Sequence, residues 1–202
     1  SLSPRQLADR VVRFLDFLAG RSGDVAVCFV SSGDGDRSLL LANSADAPFL
    51  LDSVQNFLKQ EGISFLVVSH PILAVRRGKK GGLSHLEDLG GEGRRESFLI
   101  LEIAGVSNED GARLEQEVSR IIGEVLQVQG DQKALRQQLK DLDQAAEIAS
   151  FRDFWHWLQE ANFLPFASLR VRVTRKGKGE TAVATVGDIL GPPLWPEALT
   201  AG

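Results

Sequence analysis

The feature that most restricts the fold of this chain is the order in which its apolar residues change period between Val25 and Gly130. "DVAVCFVSS" and "SLLLAN" are short apolar runs around the Gly/Asp-rich "GDGDR", which predicts a hairpin with strands at 25–31 and 37–42. Leu50, Leu51, Val54, Phe57 and Leu58 then recur at helical spacing up to Gly62, the residue best able to take a left-handed C-terminal cap. "ISFLVVSHPILAVRR" is β-branched and apolar enough for one long strand. It should bend where His70 and Pro71 interrupt the ladder, and Pro71 argues for an edge position. A tip rich in Gly, Lys, Arg and Glu runs from Gly78 to Arg95, and "ESFLILEIAG" resumes as a strand. Ser107 with Asp110 caps a further helix, whose Leu114, Val118, Ile121, Ile122 and Val125 fit against a sheet and whose end is expected at Gly130.

Strand, strand, helix, long strand, strand, helix is a split βαβ arrangement with an extra strand at the front. That strand, at 25–31, should lie antiparallel beside 37–42, in the place a C-terminal fourth strand takes in a ferredoxin-like sheet. The expected class is α+β, an antiparallel sheet with two helices on one face. Ahead of it, Ser3, Pro4 and Gln6 give a capping box, and Leu7, Val11, Phe14, Leu15 and Leu18 form a stripe ending at Gly20, so an N-terminal helix is added. After Gly130 the stripe Leu135, Leu139, Leu142, Ala146 and Ala149 gives way to Phe151, Phe154, Trp155 and Leu158. The shifted register predicts a break near Ser150. "ASLRVRVTRKGKGETAVATVG" closes as a hairpin, with Leu169, Val171 and Val173 alternating. The expected division is an N-terminal helix at 1–23, an α+β domain at 24–130, and a helical connector leading into the hairpin of a second small α+β module at 131–202.

Charge narrows the function classes. Lys and Arg number 23 against 27 Asp and Glu, a net charge of -4, so no global positive field invites nucleic acid. Cys28 is the single cysteine, which excludes an internal disulfide and any cysteine-based zinc site and suits a reducing compartment. No apolar run approaches a membrane span and no signal-peptide pattern opens the chain, so the cytoplasm is the expected location. A chain without methionine that ends on "PPLWPEALTAG" reads as a piece of something longer.

No catalytic constellation emerges. "GDGDRS" and "GGEGRR" lack the third glycine of a dinucleotide fingerprint and do not stand between a strand and a helix, so no cofactor is expected to bind here. His70, His85 and His156 fall in a bent strand, a glycine-rich loop and a helix, with no metal-ligand spacing among them. Basic clusters occur at Arg76, Arg77, Lys79 and Lys80, at Arg94 and Arg95, and at Arg170, Arg172, Arg175, Lys176 and Lys178. They could dock an anion or a subunit, but interleaved glutamates favour solvated hairpin tips. The aromatic stripe Phe151, Phe154, Trp155 and Leu158 reads as an interdomain contact.

One resemblance is specific. "DAPFLLDSVQNFLKQEGISFLVV" is similar to the aspartate-x-proline turn, first helix and second strand of an ACT domain, a module that often binds amino acids and regulates enzymes of amino-acid metabolism. "DAPFLLDSV", "HPILAVRR", "ESFLILEI" and "FRDFWHWLQEANFLPFASLRVRV" occur in the order seen at the N-terminus of the large bacterial NAD-dependent glutamate dehydrogenases. The chain departs from that family's pattern where "FLPFASLR" replaces a glycine- and tyrosine-bearing segment. The resemblance implies a parent that oxidatively deaminates L-glutamate to 2-oxoglutarate with NAD, in a catalytic region downstream of this chain. It also implies partners: that region, further copies of the chain, and an amino-acid effector, without nucleic acid or membrane. The ligand residues would be Asn43, Asp46, Ala47, Pro48 and Phe49. Backbone N–H groups at the helix start would meet a carboxylate and Asp46 an ammonium. Against it, the same turn reads as a plain helix start, with Asp46 and Asp52 complementing the helix dipole and opposing an incoming anion, and this structural use is the favoured reading. An alternative of another class is a freestanding interaction module that binds no small molecule.

Overall fold

The computed structural model describes residues 4–21, 23–31, 37–79, 81–87, 90–145, 152–157, 160, 164–175 and 182–192. Two compact units divide the chain, Ser1–Leu126 and Gln127–Gly202. In the first, helix α1 (Pro4–Ala19) precedes strands β1 (Val25–Ser31) and β2 (Ser38–Ala45), helix α2 (Leu50–Gln60), and strands β3 (Ser64–Ser69), β4 (Ile72–Arg77), β5 (Leu83–Glu87) and β6 (Arg94–Ala104). Helix α3 (Asn108–Ala145) begins in this unit and continues into the second, which adds helix α4 (Arg152–Trp157) and strands β7 (Ser168–Arg175) and β8 (Ala182–Leu190).

The large sheet is antiparallel in every described pairing, in the order β1-β2-β6-β4-β5, with β3 also paired to β6. β6 is the axis. β4 pairs with its first residues and β3 with its last, so β3 and β4 lie end to end as one interrupted strand. The interruption falls at His70 and Pro71 as the sequence predicts. Pro71 still joins the ladder through its carbonyl, which accepts Phe98 N–H at 3.0 Å. β1 lies antiparallel beside β2.

Alternation along the strands divides two layers. Leu40 and Ala42 of β2 and Leu99, Leu101 and Ile103 of β6 pack with Leu50, Val54 and Leu58 of α2 and Leu114, Val118, Ile122 and Val125 of α3, all buried. Each of the leucine, isoleucine and valine side chains among them contributes about 1.5–3 kcal/mol on leaving water. The intervening residues Leu39, Leu41, Asn43, Glu96 and Phe98 are buried as well, because α1 supplies buried Leu18 and sets Phe14 edge-on to Phe98 at 6.3 Å between ring centroids. Cover on both faces explains why β2 reads as a continuous rather than alternating apolar run. The result is the α+β, ferredoxin-like antiparallel sheet that the element order predicts, with the added N-terminal helix.

Helix ends follow local chemistry. α2 closes in a Schellman motif: Gly62 takes φ 71°, its N–H donates to Lys59 O at 3.1 Å, and Ile63 N–H donates to Leu58 O at 2.8 Å. Ser107 Oγ accepts Asp110 N–H at 3.1 Å and donates to Asp110 Oδ2 at 2.6 Å, the cap expected for α3. Two expectations are corrected. Gly130 does not end a helix, since α3 runs on to Ala145; an exposed helical glycine costs only about 1 kcal/mol, which the flanking residues outweigh. The tip between Gly78 and Arg95 is not all loop, because β5 folds back on β4 within it.

In the second unit β7 and β8 form the predicted hairpin, with a register shift between Leu169 and Val171. Side chains of α3 fasten its ends: Gln127 Nε2 donates to Gly191 O at 2.8 Å, Asp131 Oδ2 accepts Gly191 N–H at 2.9 Å, and Gln132 Nε2 donates to Pro165 O at 2.8 Å. Ser3, the Gly/Asp turn at 33–36, the break near Ser150, the hairpin tip at 176–181 and the tail from 193 lie outside the described residues.

Candidate functional site

The turn between β2 and α2 lines a cavity of about 400 Å³. Asp46, Ala47, Pro48 and Phe49 border it with Leu50, Leu51 and Asp52 of the first turn of α2, and with His70 and Ile72 from the β3–β4 interruption. Phe49 holds the N-cap position with φ 69° and ψ 4°, the single non-glycine residue at positive φ among those described. A left-handed bulky residue is strained by about 1–2 kcal/mol. No side chain caps α2, so the donors of its first turn are left for solvent or a ligand. Asp46 is engaged: Oδ2 accepts Arg95 Nε at 3.1 Å and Nη2 at 3.0 Å, and its backbone N–H donates to Arg95 O. Arg95 is 57% exposed, so this ion pair is weak and exchangeable. His70 Nε2 shares a hydrogen bond with Ser97 Oγ, which fixes the ring on the cavity's far wall. The sequence reading missed His70 as a lining residue; the His-Pro break was the available signal.

Asn43 stands elsewhere. It is 2% exposed on the α1 side of β2 and does not line the turn cavity. Its Nδ2 donates to Glu96 Oε2 at 3.1 Å and Ser97 O at 3.2 Å, and its Oδ1 accepts Arg77 Nη2 at 3.2 Å and Arg21 Nη1 at 3.4 Å. Glu96, equally buried, accepts Arg77 Nε at 2.8 Å and Nη2 at 2.7 Å and pairs with Arg21 Nη2 at 3.2 Å. Burial pushes the Glu96 carboxyl upward, but the hydrogen bonds from Arg77 and Asn43 and the charges of Arg21 and Arg77 outweigh it, leaving its pKa below the ordinary carboxylate value. For Arg21 burial is the largest influence and lowers its pKa, aided by Arg77 and Arg94 against Glu96 and Asp24. No sequence motif announced this cluster, since its members come from four separate segments.

Phe154 lies on α4, 52% exposed and stacked on Trp157 at 6.1 Å between centroids. Trp155 is also on α4, while Phe151 and Leu158 lie outside the described residues, as do the side chains of the basic residues at 170, 172, 175, 176 and 178. Cys28 sits half-buried on β1, its thiol pushed up by burial and by Glu115. No cluster of potential metal ligands occurs among the described residues, and no helix among them is long and apolar enough to cross a membrane. The glycines at 78–82 and 90–93 join strands to strands, the entry to α2 carries no glycine, and the β6–α3 turn carries only Gly105 ahead of the acidic Glu109 and Asp110, which oppose a phosphate there.

Residues 42–118, from β2 to the first part of α3, match the family model for the glutamate dehydrogenase ACT1 domain. The NAD-specific glutamate dehydrogenase of Pseudomonas aeruginosa is 29% identical over 132 residues, which cover 58% of this chain and 8% of that protein. The chain thus spans a small part of the length of the relative it matches.

Proposed function

Residues 42–118 are an ACT region of the glutamate dehydrogenase family, and on that premise we propose that the chain is the N-terminal regulatory and assembly part of a large NAD-dependent glutamate dehydrogenase, without an active site of its own. The ACT1 match carries this reading, and the similarity to an NAD-specific enzyme supports NAD as the parent's cofactor, held outside these residues. Regulation then requires unequal binding of this region, or of its ligand, to two arrangements of the catalytic part.

The effector we assign is an amino acid at the turn cavity. Its carboxylate would take the uncapped N–H groups of Leu50 to Asp52, and its ammonium would take Asp46 in exchange for Arg95. Asp52 in the same turn opposes an anion, which favours a zwitterion over a simple carboxylate. The test is a nuclear magnetic resonance titration of the 202-residue chain with a panel of amino acids, beside Asp46→Ala. Saturable shifts at 46–52, 70 and 72 that Asp46→Ala abolishes are expected; shifts elsewhere, or an unaffected variant, would refute the assignment. In the parent enzyme the same variant should lose its response to the effector and keep its basal rate.

A second reading, an interaction module without a small ligand, draws on β3. Its outer edge has no described partner strand, and Leu66 and Val67 are 50% and 53% exposed on it. Concentration-dependent self-association abolished by Val67→Lys, with no amino-acid response, would favour it.

A further inference from the structure

We propose that the cavity beside Arg21 binds the phosphate group of a small molecule. This cavity, about 760 Å³, lies where the α1–β1 connection meets the end of β4, the β4–β5 turn and the start of β6, and shares no residue with the turn cavity.

Donor accounting separates its two inner arginines. A guanidinium has five N–H groups. Arg77 spends them on Glu96 twice, on Asn43, on Leu18 O at 3.3 Å and on Gly81 O at 2.9 Å, and is therefore a structural residue. Arg21 makes only the long contacts to Asn43 and Glu96, and its other N–H groups have no partner among the described residues. Yet its side chain is just 15% exposed. No Arg21 nitrogen is both buried and unpartnered, so the unused donors of this largely enclosed side chain are open to the solvent of the cavity it lines, where an anion can add to them.

Charge points the same way. Arg21, Arg76, Arg77, Lys79 and Arg94 line the cavity against Glu92 and Glu96. Arg76 is consumed by Glu87 and Glu92, and Glu96 is divided between Arg77 and Arg21. Lys79 and Arg94 have no ion pair among the described residues. Even with Glu87 and the nearby Asp24 included, the cations exceed the carboxylates by one, while burial is the first cause that lowers the Arg21 pKa.

A phosphate answers this better than a carboxylate on geometry rather than on charge: its three terminal oxygens can meet Arg21, Lys79 and Arg94 together, and a pair of them matches the guanidinium fork. Gly23 and Gly78 line the wall, and a carbon added at either would come no closer than 3.8 Å to another atom, so the backbone leaves room there. The volume falls within the range of about 300–1,000 Å³ typical of small-molecule sites, so an organic group can accompany the phosphate.

The experiment titrates inorganic phosphate, pyrophosphate and adenosine 5′-monophosphate into the isotope-labelled chain at fixed ionic strength, with sodium chloride as the control. Saturable amide shifts at Arg21, Gly23, Gly78 and Gly81 are expected with phosphate compounds and not with chloride. Tighter binding of the nucleotide marks an organic phosphate as ligand, while equal binding marks free phosphate; both support the site. Arg21→Gln should weaken binding about tenfold. Lys79→Gln and Arg94→Gln, at exposed positions, should each weaken it about threefold and decide the matter if Arg21→Gln unfolds. No saturable shift, the same shift with chloride, or undiminished affinity in these variants would overturn the proposal. None of these outcomes depends on an amino acid binding at the turn.

Discussion

Replacing Glu96 by Gln should destabilise the first unit by about 3 kcal/mol, although shape and volume are unchanged. The carboxylate is 2% exposed, accepts two hydrogen bonds from Arg77 and one from Asn43, and is the shared counter-charge of Arg77 and Arg21. An amide keeps one acceptor oxygen and turns a donor toward other donors. Breaking a buried pair from one side costs about 3–5 kcal/mol, because the remaining charge is left unpaired out of water. The lower end applies, since the arginine side chains are 10% and 15% exposed and water reaches them from the cavity. With a urea slope of about 1–3 kcal/mol per molar, the midpoint should fall by roughly 1–3 M. The probe must be chosen with care. Trp155, Trp157 and Trp195 are the chain's three tryptophans and all follow residue 126, so fluorescence reports the second unit. Amide signals from β2 and β6 report the first. A loss below about 1 kcal/mol, the range of exposed ion pairs, would refute the reasoning and mean that the cluster is solvated.

Acid should act through the same carboxylate. Because the folded pKa of Glu96 is depressed, its stabilisation is fully present above the unfolded value of about 4.3 and is lost as pH falls through the folded value, so urea midpoints of Glu96→Gln should change less than wild type across that window. Gly111→Ala should cost about 1–3 kcal/mol in denaturant titrations despite better helix propensity, since a Cβ there would stand 2.3 Å from the Phe29 ring; a stabilised variant would show that the ring gives way freely. Gly130→Ala should instead stabilise the second unit by about 1 kcal/mol, with no atom within 4 Å of the added carbon, as read by tryptophan fluorescence. Destabilisation at Gly130 would restore the helix end read from the sequence.

Elements set by local chemistry were legible. The Gly62 cap, the Ser107–Asp110 cap and the His70–Pro71 break each depend on residues within a few positions, and each stands where the pattern places it. Gly130 misled because a stop signal was read without its neighbours. The same glycine ends a helix when the chain beyond must turn, and is carried through when Gln127, Asp131 and Gln132 have partners that require helical spacing. At the candidate turn, Asp46 to Phe49 line one cavity together because they are contiguous in sequence. The Arg95 bond to Asp46 was hidden, being a pairing across 49 positions. Asn43 looked like part of the turn and belongs to the Glu96 cluster, because consecutive residues of a strand face opposite ways. Arg77, read as one of several solvated tip cations, is held by five bonds to four other segments.

β6 shows why the two cavities need not be one site. Arg95 and Glu96 are neighbours in sequence, yet a strand directs them to opposite faces. Arg95 reaches Asp46 at the turn, while Glu96 turns to the α1 side and gathers Arg21, Arg77 and Asn43. Ligand exchange at Asp46 therefore frees a solvent-exposed arginine at little cost, whereas exchange at Glu96 would strip a buried network. An anion on the α1 side must accordingly add to the carboxylate rather than replace it, and the unused donors of Arg21 are where the structure leaves room for it.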